Sequence, residues 1–214
     1  LPGVAGGAQP SFGGTPNVAD GFIARFNSSL TALMQASYIA GPRYDIVSAL
    51  AIHPNTGDVF VAGWTQWTAW DDPIATSTSA QSAYGGGNSD AFVLRFNAAL
   101  SARTASTYLG GSGEEGPPSL AIHPTNGDIY VAVGGTSIDV PGTTGGAQSA
   151  PGNGSDGFIA RLNPALSALI QTTYVGANPS ALAIHRTTGE VYVAGQTPAS
   201  TLPGATGGAQ GTYA

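Results

Sequence analysis

Ala51-Ile-His-Pro-Asn-Thr-Gly-Asp-Val-Phe-Val-Ala-Gly63 is two β-rich runs around a polar turn that holds one glycine. A Gly-containing turn of about four residues between two such runs is hairpin chemistry, and Gly57 is expected to take a positive φ there. The stretch recurs as Ala121-Ile-His-Pro-Thr-Asn-Gly-Asp-Ile-Tyr-Val-Ala132 and as Ala183-Ile-His-Arg-Thr-Thr-Gly-Glu-Val-Tyr-Val-Ala-Gly195. Gly127 and Gly189 carry the same expectation. A hairpin written three times makes the chain a repeat protein before any other feature is weighed.

Two further markers keep step with the hairpin. Ala-Gln stands at Ala8-Gln9, Ala80-Gln81, Ala147-Gln148 and Ala209-Gln210, giving units of 72, 67 and 62 residues. Asp20-Gly-Phe-Ile-Ala-Arg-Phe-Asn27 returns as Asp90-Ala-Phe-Val-Leu-Arg-Phe-Asn97 and as Asp156-Gly-Phe-Ile-Ala-Arg-Leu-Asn163. Its alternating pattern reads as a third strand, and the runs ending at Gly41 and Gly111 read as a fourth. Asn163-Pro164-Ala-Leu-Ser-Ala-Leu-Ile170 has the cap, proline and spacing of a helix start. The following Thr172-Thr173-Tyr174-Val175 favours a turn and a strand, which is the reading preferred. Four strands per unit joined by hairpins predict an all-β chain of β-propeller-type blades. The expected organisation is unit 1 over residues 1–73, unit 2 over 74–140, unit 3 over 141–202, and the start of a fourth unit or an inter-subunit overlap over 203–214. Three four-stranded antiparallel units, about 12 strands in all, make an incomplete ring on their own.

The run Ser106-Thr-Tyr-Leu-Gly-Gly-Ser-Gly-Glu-Glu115, with Ala121–Ala132, Pro141–Gln148 and Ser155–Pro164 in the same order, resembles the bacterial SBBP-type β-propeller repeat. The likeness spans essentially the whole chain. It implies secreted or cell-surface proteins of tandem blades, often joined to adhesion-type modules, with no common catalytic motif. The chain departs from that pattern with His at 53, 123 and 185, where an acidic residue is common, and with Arg at 25, 95 and 161, where Lys is common.

Composition narrows the function classes. The 214 residues include 32 Gly and 15 Pro, only 8% are charged, and the net charge is −6 with no Lys. That balance excludes a nucleic-acid footprint and disfavours anionic membrane surfaces, and no apolar run reaches the roughly 18 residues of a membrane span. With no Cys there is no disulfide, thiolate site or Cys nucleophile. His53, His123 and His185 occupy one phase of the repeat, one per unit, which suits a turn-capping or packing role better than a metal site needing converging ligands. Asp20, Asp90 and Asp156 recur with Arg25, Arg95 and Arg161, so ion pairs between blades or anchoring loops are expected. Asp71-Asp72 and Glu114-Glu115 are the adjacent acid pairs that two-carboxylate glycoside chemistry would draw on. No cofactor is expected. Ca²⁺ at the Gly85–Asp90 or Gly152–Asp156 turns is the weak alternative. Asn27-Ser-Ser29 and Asn153-Gly-Ser155 fit the glycosylation sequon.

All three tryptophans, Trp64, Trp67 and Trp70, fall in seven residues of the first unit, just before Asp71 and Asp72. A loop of aromatics suits a docked partner or a stacked sugar as well as plain packing. Leu1–Gln9 and Leu202–Gln210 match in phase, 201 residues apart. Such ends suit either a mature product whose copies associate or a segment of a longer array. The expected role is a non-enzymatic, extracellular or cell-surface structural or adhesive protein that self-associates end to end into a filament, tube or ring. A binding module that takes a glycan or surface protein through the loop aromatics is the alternative.

Overall fold

The computed structural model describes residues 1–13, 18–41, 43–66, 77–152, 156–200, 202 and 204–209. Among these there are twelve strands and no helix, in four antiparallel sheets. β1 (Gly21–Phe26) pairs with β2 (Leu33–Ile39). β3 (Asp45–Ile52), β4 (Val59–Thr65), β5 (Asp90–Phe96) and β6 (Arg103–Leu109) form one sheet in that order. β7 (Ser119–Ile122), β8 (Ile129–Val133), β9 (Phe158–Leu162) and β10 (Leu169–Tyr174) form the next, and β11 (Asn178–Ile184) pairs with β12 (Val191–Gln196). The all-β expectation holds. The expected division into three four-stranded units does not, because the sheets hold two, four, four and two strands and are not closed.

The reason lies in the phase of the repeat. The hairpin β3–β4 ends one sequence unit, and its free edge pairs with the first strand of the next unit along the full length from Val59↔Phe96 to Thr65↔Asp90. β8 and β9 do the same from Ile129↔Leu162 to Val133↔Phe158. Each four-stranded sheet is therefore built from the tail of one sequence unit and the head of the following one. The two-stranded sheets are the complementary halves: β1–β2 corresponds to β5–β6, and β11–β12 corresponds to β3–β4.

The sheets stack face against face. Ile23, Ile39, Val59, Val61, Phe92, Leu94 and Phe96 fill the first interval, and Phe60, Ala91, Val93, Ile129, Val131, Phe158 and Leu162 fill the second. β5 contributes alternate residues to both, which is why Ala-Phe-Val-Leu is apolar without interruption: a strand covered on both faces has no polar side to write. β3 packs against β7 and β7 against β11, so the first strands of these three successive sheets lie next to one another.

Local turns repeat with the sheets. Gly57, Gly127 and Gly189 have φ of 73°, 76° and 76°, as the hairpin reading expected. A second turn joins β1 to β2, β5 to β6 and β9 to β10, and in it Leu30, Leu100 and Leu166 are left-handed at 57°, 59° and 55°. A side chain at that φ is strained. The turn is held by Asn27, Asn97 and Asn163, whose Oδ1 accepts two backbone N–H groups each, at 2.9 to 3.2 Å. Asn163 thus starts a turn rather than a helix, and Asn27 of the first sequon has its amide engaged. Asn153 and Ser155 of the second sequon lie outside the described residues.

The Ala-Gln marker is a strap. Gln9, Gln81 and Gln148 each donate their backbone N–H to Ser37, Thr107 and Thr173 Oγ and accept from the N–H of Tyr38, Tyr108 and Tyr174, lacing β2, β6 and β10. Ala8 and Ala80 then donate forward to the carbonyls of Leu100 and Leu166 in the following sheet.

Candidate functional site

Contacts from each unit to the next are the first functional geometry the fold offers. His53 and His123 accept backbone N–H groups of their own turns on Nδ1 at 3.3 to 3.4 Å. Their Nε2 atoms lie 2.6 and 2.5 Å from where a Cβ would stand on Gly127 and Gly189, the turn glycines of the following unit. His185 caps its own turn through Thr188 N–H at 3.1 Å. These three side chains are spread one per sheet and do not converge.

Two of the three repeated arginines form ion pairs between successive units, with aspartates of the hairpin turns. Arg95 binds Asp58 through Nε and a terminal nitrogen, and Arg161 binds Asp128 at 2.8 and 2.5 Å. Asp58 and Asp128 sit in the β3–β4 and β7–β8 turns, so each ion pair spans the β4–β5 or β8–β9 seam. Arg95 and Arg161 also lie 5.8 Å from the ring centres of Phe60 and Tyr130, in cation–π range. Burial raises the Asp58 carboxyl, but the Arg95 and Thr56 hydrogen bonds outweigh it and hold it below the usual range. Asp20, Asp90 and Asp156 instead accept backbone N–H groups from Gly13, Gly85 and Gly152, tying down the approach loops. The sequence carried the signal for the true partner, since Asp58, Asp128 and Glu190 recur at one phase inside the hairpin itself.

A second acid joins Asp90. Glu115, in the connection between β6 and β7, is 1% exposed and Asp90 is fully buried. Asp90 Oδ1 and both Glu115 carboxyl oxygens are buried without a well-formed hydrogen bond. Burial foremost, and then the mutual approach of the two carboxyls, pushes Glu115 up to about 8, and burial pushes Asp90 up to about 6. Two such groups share a proton rather than both ionising. Asp45 occupies the position of Glu115 one unit earlier. It is fully buried, raised to about 6 by burial, and faces the charge of Asp20. In the third unit that position is Ala177. A raised, buried acid can serve as a general acid; these carboxyls recur in successive units, and Glu115 also lines the groove above it. Glu114, the other member of the expected pair, is exposed and accepts from Asn88 Nδ2.

Above Glu115 lies a groove of about 840 Å³, lined among others by Trp64, Gln66, Asn88, Asn178 and Gln196. It opens at the ends of β3, β7 and β11. Trp64 is a strand residue, opposite Ile46 and Ala91 in the sheet, rather than a loop aromatic. Trp67, Trp70, Asp71 and Asp72 lie outside the described residues. No group of three or more His, Asp or Glu placed to hold a metal ion occurs among the described residues.

The remaining feature is the pair of open edges. On β1, Phe22 and Phe26 are 57% and 51% exposed, and on β12 Tyr192 is 57% exposed. Their counterparts Phe92, Phe96 and Phe60 are 0 to 2% exposed. The in-phase match of Leu1–Gln9 with Leu202–Gln210 did not point to these rows, because exposure depends on which strand lies alongside. No family model and no curated protein matches the chain.

Proposed function

We propose that this chain is a non-enzymatic structural or adhesive repeat protein of the cell exterior, whose sheets are propeller-type blades and whose copies associate end to end. The observation that carries the reading is the complementary pair of half-sheets: β1–β2 and β11–β12 each leave bare an apolar edge that the inner sheets bury. Exposed edges of this kind are templates for another strand unless they are blunted by charge, proline or a bulge. β12 from Val191 to Gln196 has none of these on its outer side. The resemblance to SBBP-type repeats supports a secreted location and a family without a common catalytic motif.

Electron microscopy of the purified chain tests the reading. Rings of two or more copies, or filaments with a three-blade repeat, are expected, and isolated 21.2 kDa particles at all concentrations overturn it. A second reading, capture of a glycan or protein segment, has its own support in Trp64, Gln66 and Gln196 around the 840 Å³ groove. Trp64→Ala then abolishes ligand capture and leaves the assembly intact.

A further inference from the structure

We propose that β12 of one copy pairs antiparallel with β1 of a second copy, so that β11–β12 and the partner's β1–β2 complete a four-stranded sheet with a defined register and ion pair. This rests on the end-to-end reading above and names the contact that makes it.

The two internal seams are the template. β4 meets β5 as Val59↔Phe96, Phe60↔Arg95, Val61↔Leu94, Ala62↔Val93 and Gly63↔Phe92, and β8 meets β9 in the same alignment. β12 repeats β4 as Val191-Tyr-Val-Ala-Gly195, with Tyr192 in place of Phe60, and β1 repeats β5 as Phe22-Ile-Ala-Arg-Phe26, with Ile23 and Ala24 in place of Val93 and Leu94. The register that follows sets Val191 opposite Phe26 of the second copy, Tyr192 opposite its Arg25, Val193 opposite its Ala24 and Gly195 opposite its Phe22. Gly195 is compatible with the last pairing. At Gly63 a Cβ would stand 2.1 Å from the Ile46 carbonyl oxygen of its own hairpin and 2.6 Å from Phe92 Cζ across the seam, and Gly195 meets the Asn178 carbonyl oxygen at the same 2.1 Å, so the side of β12 that faces the incoming Phe22 is left open in the same way.

Charge points to the same partner. Arg95–Asp58 and Arg161–Asp128 close the internal seams. Glu190 and Arg25 are the third members of those two series, and neither has an ion-pair partner among the described residues. Arg25 donates only to the Ala98 carbonyl, and Glu190 meets only Thr188 and Tyr192 hydroxyls. Across the open joint the two would meet beside Tyr192, as Arg95 meets Asp58 beside Phe60.

There is also space for the incoming hairpin. A groove of about 520 Å³ runs between β1 and β3, lined by Phe22, Ala24, Phe26, Ile46, Ala49 and Leu50 among others. In the internal joints the corresponding place is filled by the preceding hairpin, its second strand paired in the sheet and its first packed on the next inner strand. The β11 of the copy that supplies β12 would then cover Leu50 and Ile52 of the second copy, now 59% and 62% exposed, and its His185 would seat on the second copy's Gly57 as His53 seats on Gly127. The Ala147 N–H of the copy that supplies β12 would reach the second copy's Leu30 carbonyl as Ala8 reaches Leu100, covering a leucine that is 78% exposed while Leu100 and Leu166 are 1% and 0%. A head-to-tail contact of this kind is heterologous and gives a ring or a filament according to its rotation.

The test is a charge exchange read by sedimentation velocity, with cysteine cross-linking of the otherwise Cys-free chain. Glu190→Arg and Arg25→Glu, each alone, put like charges in every joint and should weaken assembly at least tenfold. Mixing the two variants, or combining both changes in one chain, should restore it, which also shows that each variant is folded. Val193→Cys mixed with Ala24→Cys should cross-link on oxidation, and Val193→Cys with Ile23→Cys, one residue out of register and on the opposite face, should not. Wild-type assembly that ignores the charge exchange and cross-links equally at both positions overturns this joint while leaving self-association standing. A wild-type chain that stays monomeric throughout overturns both.

Discussion

β4 and β12 have nearly the same sequence and opposite fates. Val59-Phe-Val-Ala-Gly63 is buried from end to end, whereas Tyr192-Val-Ala-Gly195 is exposed along its length and only Val191 is partly covered. Both strands pair with the strand before them in a hairpin, so their own sequences and their own turns are satisfied equally. The difference is the neighbour on the other side: β4 has β5, and β12 has none among the described residues. Burial in this molecule is a property of the joint between units. The same lesson holds for β5 against β1, where Phe92 and Phe22 differ only in whether a hairpin lies alongside.

The comparison can be broken first at those phenylalanines. Phe92→Ala empties a fully buried ring and should cost about 3–5 kcal/mol in a denaturant titration. Phe22→Ala, at an exposed ring, should leave the stability of the isolated chain within about 0.5 kcal/mol and reduce association instead. Equal losses of stability at the two positions would mean that β1 is already covered.

Next in size is the buried acid in the seam. A carboxyl whose pKa is raised in the folded state keeps its proton there longer than in the unfolded chain, so its contribution to stability is full below about pH 4.5 and is lost as pH rises toward 8. Thermal melts should therefore fall through that window, with a slope of at most about 1.4 kcal/mol per pH unit for each group. Glu115→Gln should flatten the upper part of the decline and stabilise the chain at pH 8. A decline unchanged by that substitution would remove Glu115 from the account. The Asp45–Asp20 seam sharpens the point, since its acid is raised less and should titrate nearer pH 6.

A smaller difference separates two turn glycines. Gly127→Ala and Gly57→Ala both place a side chain at positive φ, at about 1–2 kcal/mol each. Gly127→Ala also meets His53 Nε2, while at Gly57 the nearest atom is Ala98 Cβ at 3.4 Å. Gly127→Ala should therefore melt earlier, by a margin that His53→Ala removes. The smallest effect is expected from Asp58→Asn, about 1 kcal/mol, because Arg95 is partly exposed and keeps the Pro164 carbonyl and the Phe60 face.

Much of this was legible in the residues. The hairpin, the positive φ of Gly57, Gly127 and Gly189 and the all-β class follow from turn chemistry and alternation, which are local. Which hairpin edge meets which strand is not local, and a repeat read along the chain is equally consistent with sheets cut at any phase. That is why the units of 72, 67 and 62 residues failed to show that β5 belongs with β4. The arginine's partner could not be named for a related reason: Asp58 is set beside Arg95 by a strand pairing that only the sheet order reveals. The acid seam was readable in principle, since Asp45 and Glu115 stand at one phase of the repeat, six residues before Ala51 and Ala121. Trp64 looked like a loop residue because its companions follow it, yet the strand that begins at Val59 runs through it.

Backbone amide hydrogen exchange, followed residue by residue as chain concentration is raised, tests the central claim most directly. Amides of β4 and β8 report strands already paired on both sides. Those of β12 (Val191–Gln196) and β1 (Gly21–Phe26) should exchange faster in dilute chain and converge on the protection of β4 and β8 as copies associate, with Glu190→Arg preventing the convergence. Exchange in β1 and β12 that is independent of concentration, while the rest of the chain stays protected, would contradict the account.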